Sequence, residues 1–342
     1  MNYKISDKVF VTVLMSVYGE KEIWLREAVE SILGQTFSNF EFIIILDKPD
    51  NDFLWNILKE YELADNRIIL LKNTSNIGLA ASLNRGIVIS RGDYIVRMDA
   101  DDISVPERIE TLVYFMENNV EIGVCSSWMR SFGGKFWKNR IEKYPTDHIR
   151  LETDALYKTP ISHGACIIRS KMIAEFSPLY NEKCYSTQDY ELFSRLMQNG
   201  VFFATLPKTL YLRRVCESLG IEPIPYRIIH NQVERGNIQT FLKRYSYKLP
   251  DIISEIDIKS LSDIFRNEKG KFHKERLGII LFLFYMSISD KSGRRLMLVL
   301  KNGDISIFKY VPFMLTVKFM IPFSYNSYNI NNICTDSSLS IL

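Results

Sequence analysis

Short apolar runs alternate with longer amphipathic segments along the first 120 residues. The apolar runs FVTVLMSV, FEFIIIL, RIILLK and YIVRMD predict strands, and the segments EIWLREAVESIL, residues 53–63, GLAASLNRGIVIS and PERIETLVYFMEN predict helices between them. In residues 22–33 the apolar side chains fall at helical spacing, so that one face of this helix can pack on a sheet. The pattern predicts an α/β fold with a mostly parallel sheet flanked by helices.

The later segments repeat this pattern less regularly. IGVCSSW and HGACIIR, residues 163–169, predict two further strands. A helix is predicted over STQDYELFSRLMQNG, with Ser186 or Thr187 as its cap and Asp189 in its first turn. After Tyr211 the chain is predicted to become helical. We therefore expect a domain of residues 1–215, a helical extension of residues 216–325 and a disordered tail of residues 326–342.

The charge distribution separates these regions. Residues 1–204 carry 28 acidic and 23 basic side chains, whereas residues 205–325 carry 11 acidic and 20 basic ones. The net charge of +3 predicts no nucleic-acid partner. The apolar run at 277–288 is too short to cross a bilayer, and the one at 305–323 is interrupted by Lys309, Pro312 and Lys318. Two readings stay open for the rear region: amphipathic segments on an anionic membrane surface, or a helical subdomain that packs on itself.

The cysteines and the first residues bear on the compartment. Five cysteines occur without any Cys-x-x-Cys pair, which argues against a zinc site and against a disulfide framework. The apolar start resembles a strand more than a signal peptide. We expect a cytoplasmic protein.

Polar clusters follow the predicted strands. They are SVYGE at 16–20, DKPDND at 47–52, NIGLAASLN at 76–84 and DADD at 99–102. Ligands bind outside the carboxyl ends of the strands in such sheets, so we expect the clusters to share one rim. Two carboxylates one residue apart can meet one divalent cation and leave positions open for a substrate's phosphates. The alternative is a solvated loop that caps the helix beginning at Pro106.

The motifs together resemble one family. SVYGE, SILGQTF, FEFIIILD, NIGLAASLNRGI, GDYIVRMDADD, the Pro-Glu-Arg segment and QDYELFSRL are similar to the inverting glycosyltransferases of family two, which have the GT-A fold. The resemblance covers residues 9–215. LDKP, RMDADD and DYEL resemble the branch that builds bacterial exopolysaccharide, capsule and O-antigen.

This resemblance implies a site for a nucleotide sugar, with a UDP-sugar favoured. The residues it implies for the donor are Ser16, Tyr18, Glu20, Asp47, Asn76, Asn84 and Asp99. Asp101 is implied as the ligand of Mg²⁺ or Mn²⁺, and Asp102 is assigned to the start of the following helix. Leu83 stands where relatives often carry arginine, and whether Arg85 replaces it is left open.

The resemblance also implies the reaction. Asp189 matches the catalytic base, and we expect the helix N-terminus to keep it ionised. His163 could approach the acceptor or the diphosphate, and a structural role is equally consistent with the sequence. Arg213 and Arg214 could contact phosphate, although a solvated face is the default. The Gln-x-x-Arg-Trp segment of processive synthases is missing from the sequence, which predicts one sugar per encounter.

The implied acceptor is a glycan, carried on a polyprenyl diphosphate, with the basic rear region contacting the inner face of the cell membrane. An alternative is a non-catalytic nucleotide- or cation-binding subunit on the same fold. A nucleotidyltransferase is disfavoured because no glycine-rich phosphate loop follows the first strand.

Overall fold

A computed structural model describes residues 10–133, 139–155, 158–184 and 187–215, together with Val233, Asn237 and Thr240. Apart from those three residues, the predicted helical extension of residues 216–325 and the tail of residues 326–342 lie outside the described part. No helix within the described part combines the length and the apolarity needed to cross a membrane.

The front half alternates strands and helices as the sequence pattern predicts, with one exception. Its elements are β1 Val11–Val17, α1 Glu22–Leu33, β2 Phe40–Leu46, α2 Asp52–Ala64, β3 Ile68–Lys72, α3 Leu79–Ile89, β4 Tyr94–Asp99, β5 Ile103–Ser104 and α4 Arg108–Asn118. The exception is the short strand β5, which was not predicted and directly follows β4. The rear half comprises β6 Ile122–Gly133, β7 Ile141–Glu142, α5 His148–Ala155, β8 Ile167–Arg169, α6 Ser170–Ile173, α7 Gln188–Gln198 and β9 Phe202–Val215.

The strands form one sheet in the order β3-β2-β1-β4-β8-β6-β9-β5, and β7 pairs with β6. β1 to β4 are mutually parallel. β8 is antiparallel to β4 and to β6, whereas β6 and β9 run parallel. The predicted α/β fold with a mostly parallel sheet flanked by helices is therefore confirmed.

Two boundaries differ from the prediction. β8 contains only Ile167–Arg169, so His163 lies in the loop before the strand. The prediction that the chain becomes helical after Tyr211 is wrong for residues 212–215, because β9 continues to Val215 along β6. Arg213 and Arg214 lie opposite Ser131 and Phe132 in this pairing. Register shifts around Trp128 accommodate the long ladder, and such a tertiary pairing leaves little trace in local periodicity.

Helix α3 lies unusually close to the sheet at Gly86. A Cβ atom at this position would come within 2.2 Å of Leu14 Cδ1 and 3.0 Å of Ile45 Cδ1. Both leucine and isoleucine are fully buried. A side chain at this position would collide with these two buried residues, so glycine allows α3 to pack closely on β1 and β2.

We expect Gly86→Val to lower the free energy of unfolding by about 1–3 kcal/mol, since the added methyl groups overpack this contact. Urea unfolding followed by circular dichroism measures the change. Val88→Ala is the matched control on the same helix, because Val88 is 83% exposed. Equal stability of Gly86→Val and the wild type would contradict the close contact.

Candidate functional site

The polar clusters meet at the carboxyl edge of the parallel strands. Ser16 at the end of β1 lies directly opposite Asp99 at the end of β4. Asp47 follows β2, and its backbone N–H donates to the carbonyl of Val17 at 2.8 Å. The shared rim predicted for these loops is thus present, with Asp99 at its centre.

Asp99 is held from three sides. Its carboxylate pairs with the buried guanidinium of Arg97. Its backbone N–H donates to the Tyr211 hydroxyl at 3.1 Å, and that hydroxyl lies 3.4 Å from Asp99 Oδ2. Gly164 closes the third side, because a Cβ there would come within 2.6 Å of Asp99 Oδ2. The carboxylate therefore has little freedom to move, although 38% of its side chain stays exposed.

Arg108 supports this arrangement from below. Its guanidinium donates to the carbonyls of Arg97 at 2.6 Å and Gly164 at 2.8 Å. The guanidinium carbon lies 4.8 Å from the centre of the Tyr211 ring. Arg108 is completely buried. Sequence reasoning named only the Pro-Glu-Arg segment and did not identify this arginine, which a charged residue on the apolar face of α4 could have indicated.

Residues 99–102 form the acidic loop, and its three carboxylates differ in electrostatic environment. Burial raises the pKa of Asp99, but Arg97 and the Tyr211 hydroxyl outweigh it, so that the pKa lies below its usual range. Burial and repulsion from Asp99 raise the pKa of Asp101. Burial, Asp99 and Asp101 together raise the pKa of Asp102 to about 8. Asp99 thus remains anionic where its neighbours are strained by like charge.

The assignment of Asp102 to the start of the next helix is wrong. Asp102 Oδ1 accepts a hydrogen bond from the backbone N–H of Arg214 at 2.6 Å, and α4 begins only at Arg108. Asp102 therefore attaches the acidic loop to β9, which sequence analysis did not predict at that place.

Asp47 organises the loop between β3 and α3. Its Oδ1 accepts from Asn73 Nδ2 at 2.6 Å and from the N–H of Ile77 at 2.9 Å, and its Oδ2 accepts from the N–H of Gly78 at 2.8 Å. Arg85 donates to the side-chain oxygen of Asn73. Asn73 was missed because it forms no part of the recognised motif, and only the position of β3 brings it to Asp47.

Asn84 lies on the inner side of α3. Its amide donates to the Tyr180 carbonyl and to Glu182 Oε1, both at 2.9 Å, and its Oδ1 accepts from the Tyr180 N–H at 2.9 Å. Asn84 therefore holds the segment around Tyr180. Asn76 is exposed, and its Oδ1 accepts from the Gly78 N–H at 3.1 Å.

The loop after β1 presents Tyr18 and Glu20. The Tyr18 side chain is 50% exposed, and Lys48 Nζ lies 5.4 Å from the centre of its ring. Glu20 Oε2 accepts from the N–H groups of Tyr18 at 2.9 Å and Gly19 at 3.1 Å. Burial raises the pKa of Glu20, and the charge of Asp101 adds to this effect. The loop therefore lies within electrostatic reach of the acidic loop.

Asp189 stands in the first turn of α7, which begins at Gln188. Its Oδ1 accepts from the N–H of Tyr190 at 2.8 Å. Hydrogen bonds from backbone N–H groups at the helix start favour the ionised form of Asp189, as the sequence predicts. Burial outweighs them, so that the pKa of Asp189 is raised. The charges of Arg97 and Asp99 also act on its pKa, so Asp189 lies within electrostatic range of the acidic loop.

His163 contacts Tyr180 and Phe193. Its Nε2 is 2.8 Å from the Tyr180 hydroxyl, and its ring contacts Phe193 edge-on at 5.9 Å. Burial, with the charge of Arg97, lowers the pKa of His163 to about 3. It is neutral at physiological pH and cannot neutralise a diphosphate as a cation.

The donor set of the acidic loop fits a divalent cation that completes its coordination with substrate oxygens. Asp99 and Asp101 offer carboxylates at one strand end, and Glu20 adds negative charge beside them. Within the described ranges no group of three or more acidic, histidine or cysteine side chains is arranged to hold a metal. Such a cation would depend on the ligand's own phosphates.

Tyr211→Phe removes the hydroxyl that contacts Asp99 and keeps the ring that packs against Arg108. We expect about tenfold weaker binding of manganese–UDP, since both hydrogen bonds between this hydroxyl and Asp99 are lost. Isothermal calorimetry measures the affinity. Tyr61→Phe is the control, because its hydroxyl bonds to the exposed Glu30 on α1. Unchanged affinity in Tyr211→Phe would mean that Asp99 needs no support from β9.

The chain is similar to known proteins of one family. Residues 12–176 match the family described as Glycosyl transferase family 2. An uncharacterized glycosyltransferase of Methanocaldococcus jannaschii is 37% identical over 213 residues, which cover 61% of this chain and 72% of that protein.

A second relative and a solved structure extend the comparison. The UDP-Gal:alpha-D-GlcNAc-diphosphoundecaprenol beta-1,3-galactosyltransferase of Escherichia coli is 29% identical over 194 residues, 55% of this chain and 68% of that protein. The crystal structure of S. aureus TarS in complex with UDP-GlcNAc shares the fold with a TM-score of 0.55 at 15% identity, covering 90% of each chain. The chain therefore belongs to glycosyl transferase family 2, and the protein is a glycosyltransferase.

Proposed function

We propose that this protein is an inverting, metal-dependent transferase that moves one sugar from a UDP-sugar to a glycan carried on a polyprenyl diphosphate, in the assembly of a cell-surface polysaccharide. One observation carries the proposal: Asp189 lies within electrostatic range of Arg97 and Asp99, at the carboxyl edge of the sheet. A transferase needs a site for the leaving diphosphate and a base for the incoming hydroxyl in that arrangement.

The donor side is assigned to the loops after β1, β2 and β3. The exposed ring of Tyr18 offers a face on which the nucleobase of the donor can stack, beside Lys48. Asp47 and Asn84 have their polar atoms engaged within the chain, so we assign them mainly to shaping the donor loops. The remaining donor residues of the proposal are Ser16, Glu20, Asn76 and Asp99.

The cation is assigned to Asp101 together with Asp99. When bound, Mg²⁺ or Mn²⁺ supplies positive charge that stabilises the leaving nucleoside diphosphate. The chain's own part is to fix these two carboxylates, which Arg97, Tyr211 and Gly164 do for Asp99. Preorganised charge of this kind costs no rearrangement during the reaction.

Asp189 is assigned as the base that takes the proton of the acceptor hydroxyl. A carboxylate whose pKa is raised by burial holds a proton better than an ordinary aspartate, which suits this task. Inversion follows from a single displacement in which the hydroxyl attacks from the side opposite the diphosphate. His163 is assigned to positioning, since its ring is held by Tyr180 and stays neutral.

The lipid-linked acceptor is supported by two features. The name of the Escherichia coli relative describes an acceptor on diphosphoundecaprenol. The basic composition of residues 205–325, with 20 basic against 11 acidic side chains, favours contact with anionic lipid. Sedimentation with anionic vesicles, together with transfer to polyprenyl-diphosphate and water-soluble acceptors, tests this part. Transfer to soluble acceptors alone, without vesicle binding, would refute it.

Two variants separate donor binding from chemistry. We expect Asp101→Asn to abolish metal-dependent UDP binding. Asp189→Asn should keep that binding and lower turnover by about a hundredfold or more, because only the proton acceptor is lost. Calorimetry with UDP, GDP and CDP, with and without Mn²⁺, measures the first effect, and radiolabelled sugar transfer measures the second.

Each outcome has a distinct meaning. Metal-dependent UDP binding without any transfer in the wild type would favour the non-catalytic binding subunit. Binding of none of the three nucleotides would refute the donor site. Full turnover in Asp189→Asn would remove Asp189 from the role of base.

The pH dependence follows from the environment of Asp189. The base works only when ionised, and burial favours its neutral form, so kcat/KM should rise with pH through a value above that of an ordinary aspartate. His163 is neutral throughout this range, since its pKa is about 3. Rate profiles of the wild type and His163→Asn should therefore share the same acidic limb. A limb that vanishes in His163→Asn would assign the titration to the histidine.

A further inference from the structure

Arg214, near the end of β9, contacts both halves of the acidic loop. Its Nε donates to the backbone carbonyl of Asp101 at 2.8 Å. Its backbone N–H donates to Asp102 Oδ1 at 2.6 Å. Only 13% of the Arg214 side chain is exposed, which excludes the solvated face that sequence analysis took as the default. The arginine is thus part of the wall behind the proposed metal ligand.

The far side of the same guanidinium reaches α1. It forms an ion pair with Glu27 and lies 5.2 Å from the ring centre of Trp24. On the other side it lies 4.4 Å from the ring of Phe132 on β6. Helix α1 begins directly after the loop that carries Tyr18 and Glu20. One side chain therefore connects the acidic loop with the helix behind the donor loop.

The connection counteracts a repulsion. Glu20 and Asp101 are two carboxylates on these neighbouring loops, and each disfavours the charge of the other. The charge of Arg214 acts on Asp101 with the opposite sign. Like charges brought together push flexible loops apart unless a cation or a rigid contact opposes them. Arg214 supplies both before any ligand arrives.

We propose that Arg214 is a positioning residue that sets the place of Asp101 relative to the loop after β1, which carries Tyr18 and Glu20. It acts through the backbone of Asp101 and through Glu27. The proposal rests on the proposed function, in which Asp101 meets the metal and diphosphate. In this role Arg214 acts through Asp101 and Glu27 rather than by contact with the substrate. Its planar fork is required, because one end must bond to a carbonyl while the other pairs with a carboxylate.

The test compares two adjacent arginines. Arg214→Met keeps the apolar stem and removes the fork, and Arg214→Lys keeps the charge. Arg213→Met is the matched control, because Arg213 lies next along β9 but bonds to Glu142 at 2.6 Å and Ser131 at 3.4 Å. Calorimetric affinity for Mn²⁺ with UDP is measured for each, together with kcat and KM for the donor.

We expect Arg214→Met to weaken the binding of Mn²⁺ and UDP about ten- to a hundredfold, as loss of an outer partner of a metal ligand does. The loss should appear mainly in the affinity and in KM. Arg214→Lys should recover part of it, and Arg213→Met should bind like the wild type. Glu27→Gln should produce part of the loss, and should add little to Arg214→Met because both disrupt one connection.

Circular dichroism and thermal unfolding separate positioning from misfolding. If Arg214→Met fails to fold, Glu27→Gln decides instead, because that variant leaves the bond from Arg214 to Asp101 in place. Weaker binding of Mn²⁺ and UDP than in the wild type supports the inference, and wild-type affinity overturns it. Wild-type affinity in Arg214→Met, or equal loss in Arg213→Met, would overturn the inference alone. Absence of UDP binding in the wild type would overturn the proposed function, and this inference with it.

Discussion

The burial of Arg108 is the constraint on which the cleft depends. A guanidinium without water needs partners for its N–H groups, and here one terminal nitrogen donates to the carbonyls of Arg97 and Gly164 rather than to a carboxylate, while Nε has no hydrogen-bond partner in the described part of the chain. Burial accordingly lowers the pKa of Arg108. These bonds bring together the end of β4 and the loop before β8, and the stacked Tyr211 ring adds β9. Three segments distant in sequence therefore meet at one charged side chain.

Above this support the charges are arranged in layers. Arg97 lies beneath the rim and pairs with Asp99, so this carboxylate is both immobile and ionised. Asp101 and Glu20 are not compensated in the same way, and their pKa values are raised. In the proposed function, this rim, with one fixed anion and others under mutual repulsion, would receive a cation together with its diphosphate. Arg214 limits how far that repulsion can separate the loops.

Several motif residues act on the fold as well as on the site. Asp47 engages Asn73 and the backbone of Ile77 and Gly78, and Asn84 holds Tyr180 from both its carbonyl and its N–H. Tyr180 in turn bonds to His163. The loops that would hold a donor are thus preorganised by polar contacts within the chain. This division explains how a motif can be recognisable while its members do not all contact a ligand.

The sequence by itself determined the α/β class, the order of strands and helices up to residue 120 apart from the short β5, and the rim at which the acidic loop lies. Continuous apolar runs separated by amphipathic segments record these features locally, because each residue's burial follows from its own strand or helix. Only the tertiary structure decided that β9 extends to Val215, that Asp102 binds Arg214, and that Arg108 and Asn73 support the cleft. Those contacts join residues far apart in the chain. The burial and the charge interactions that produce them leave no periodic pattern in the local sequence, so the sequence alone does not reveal them.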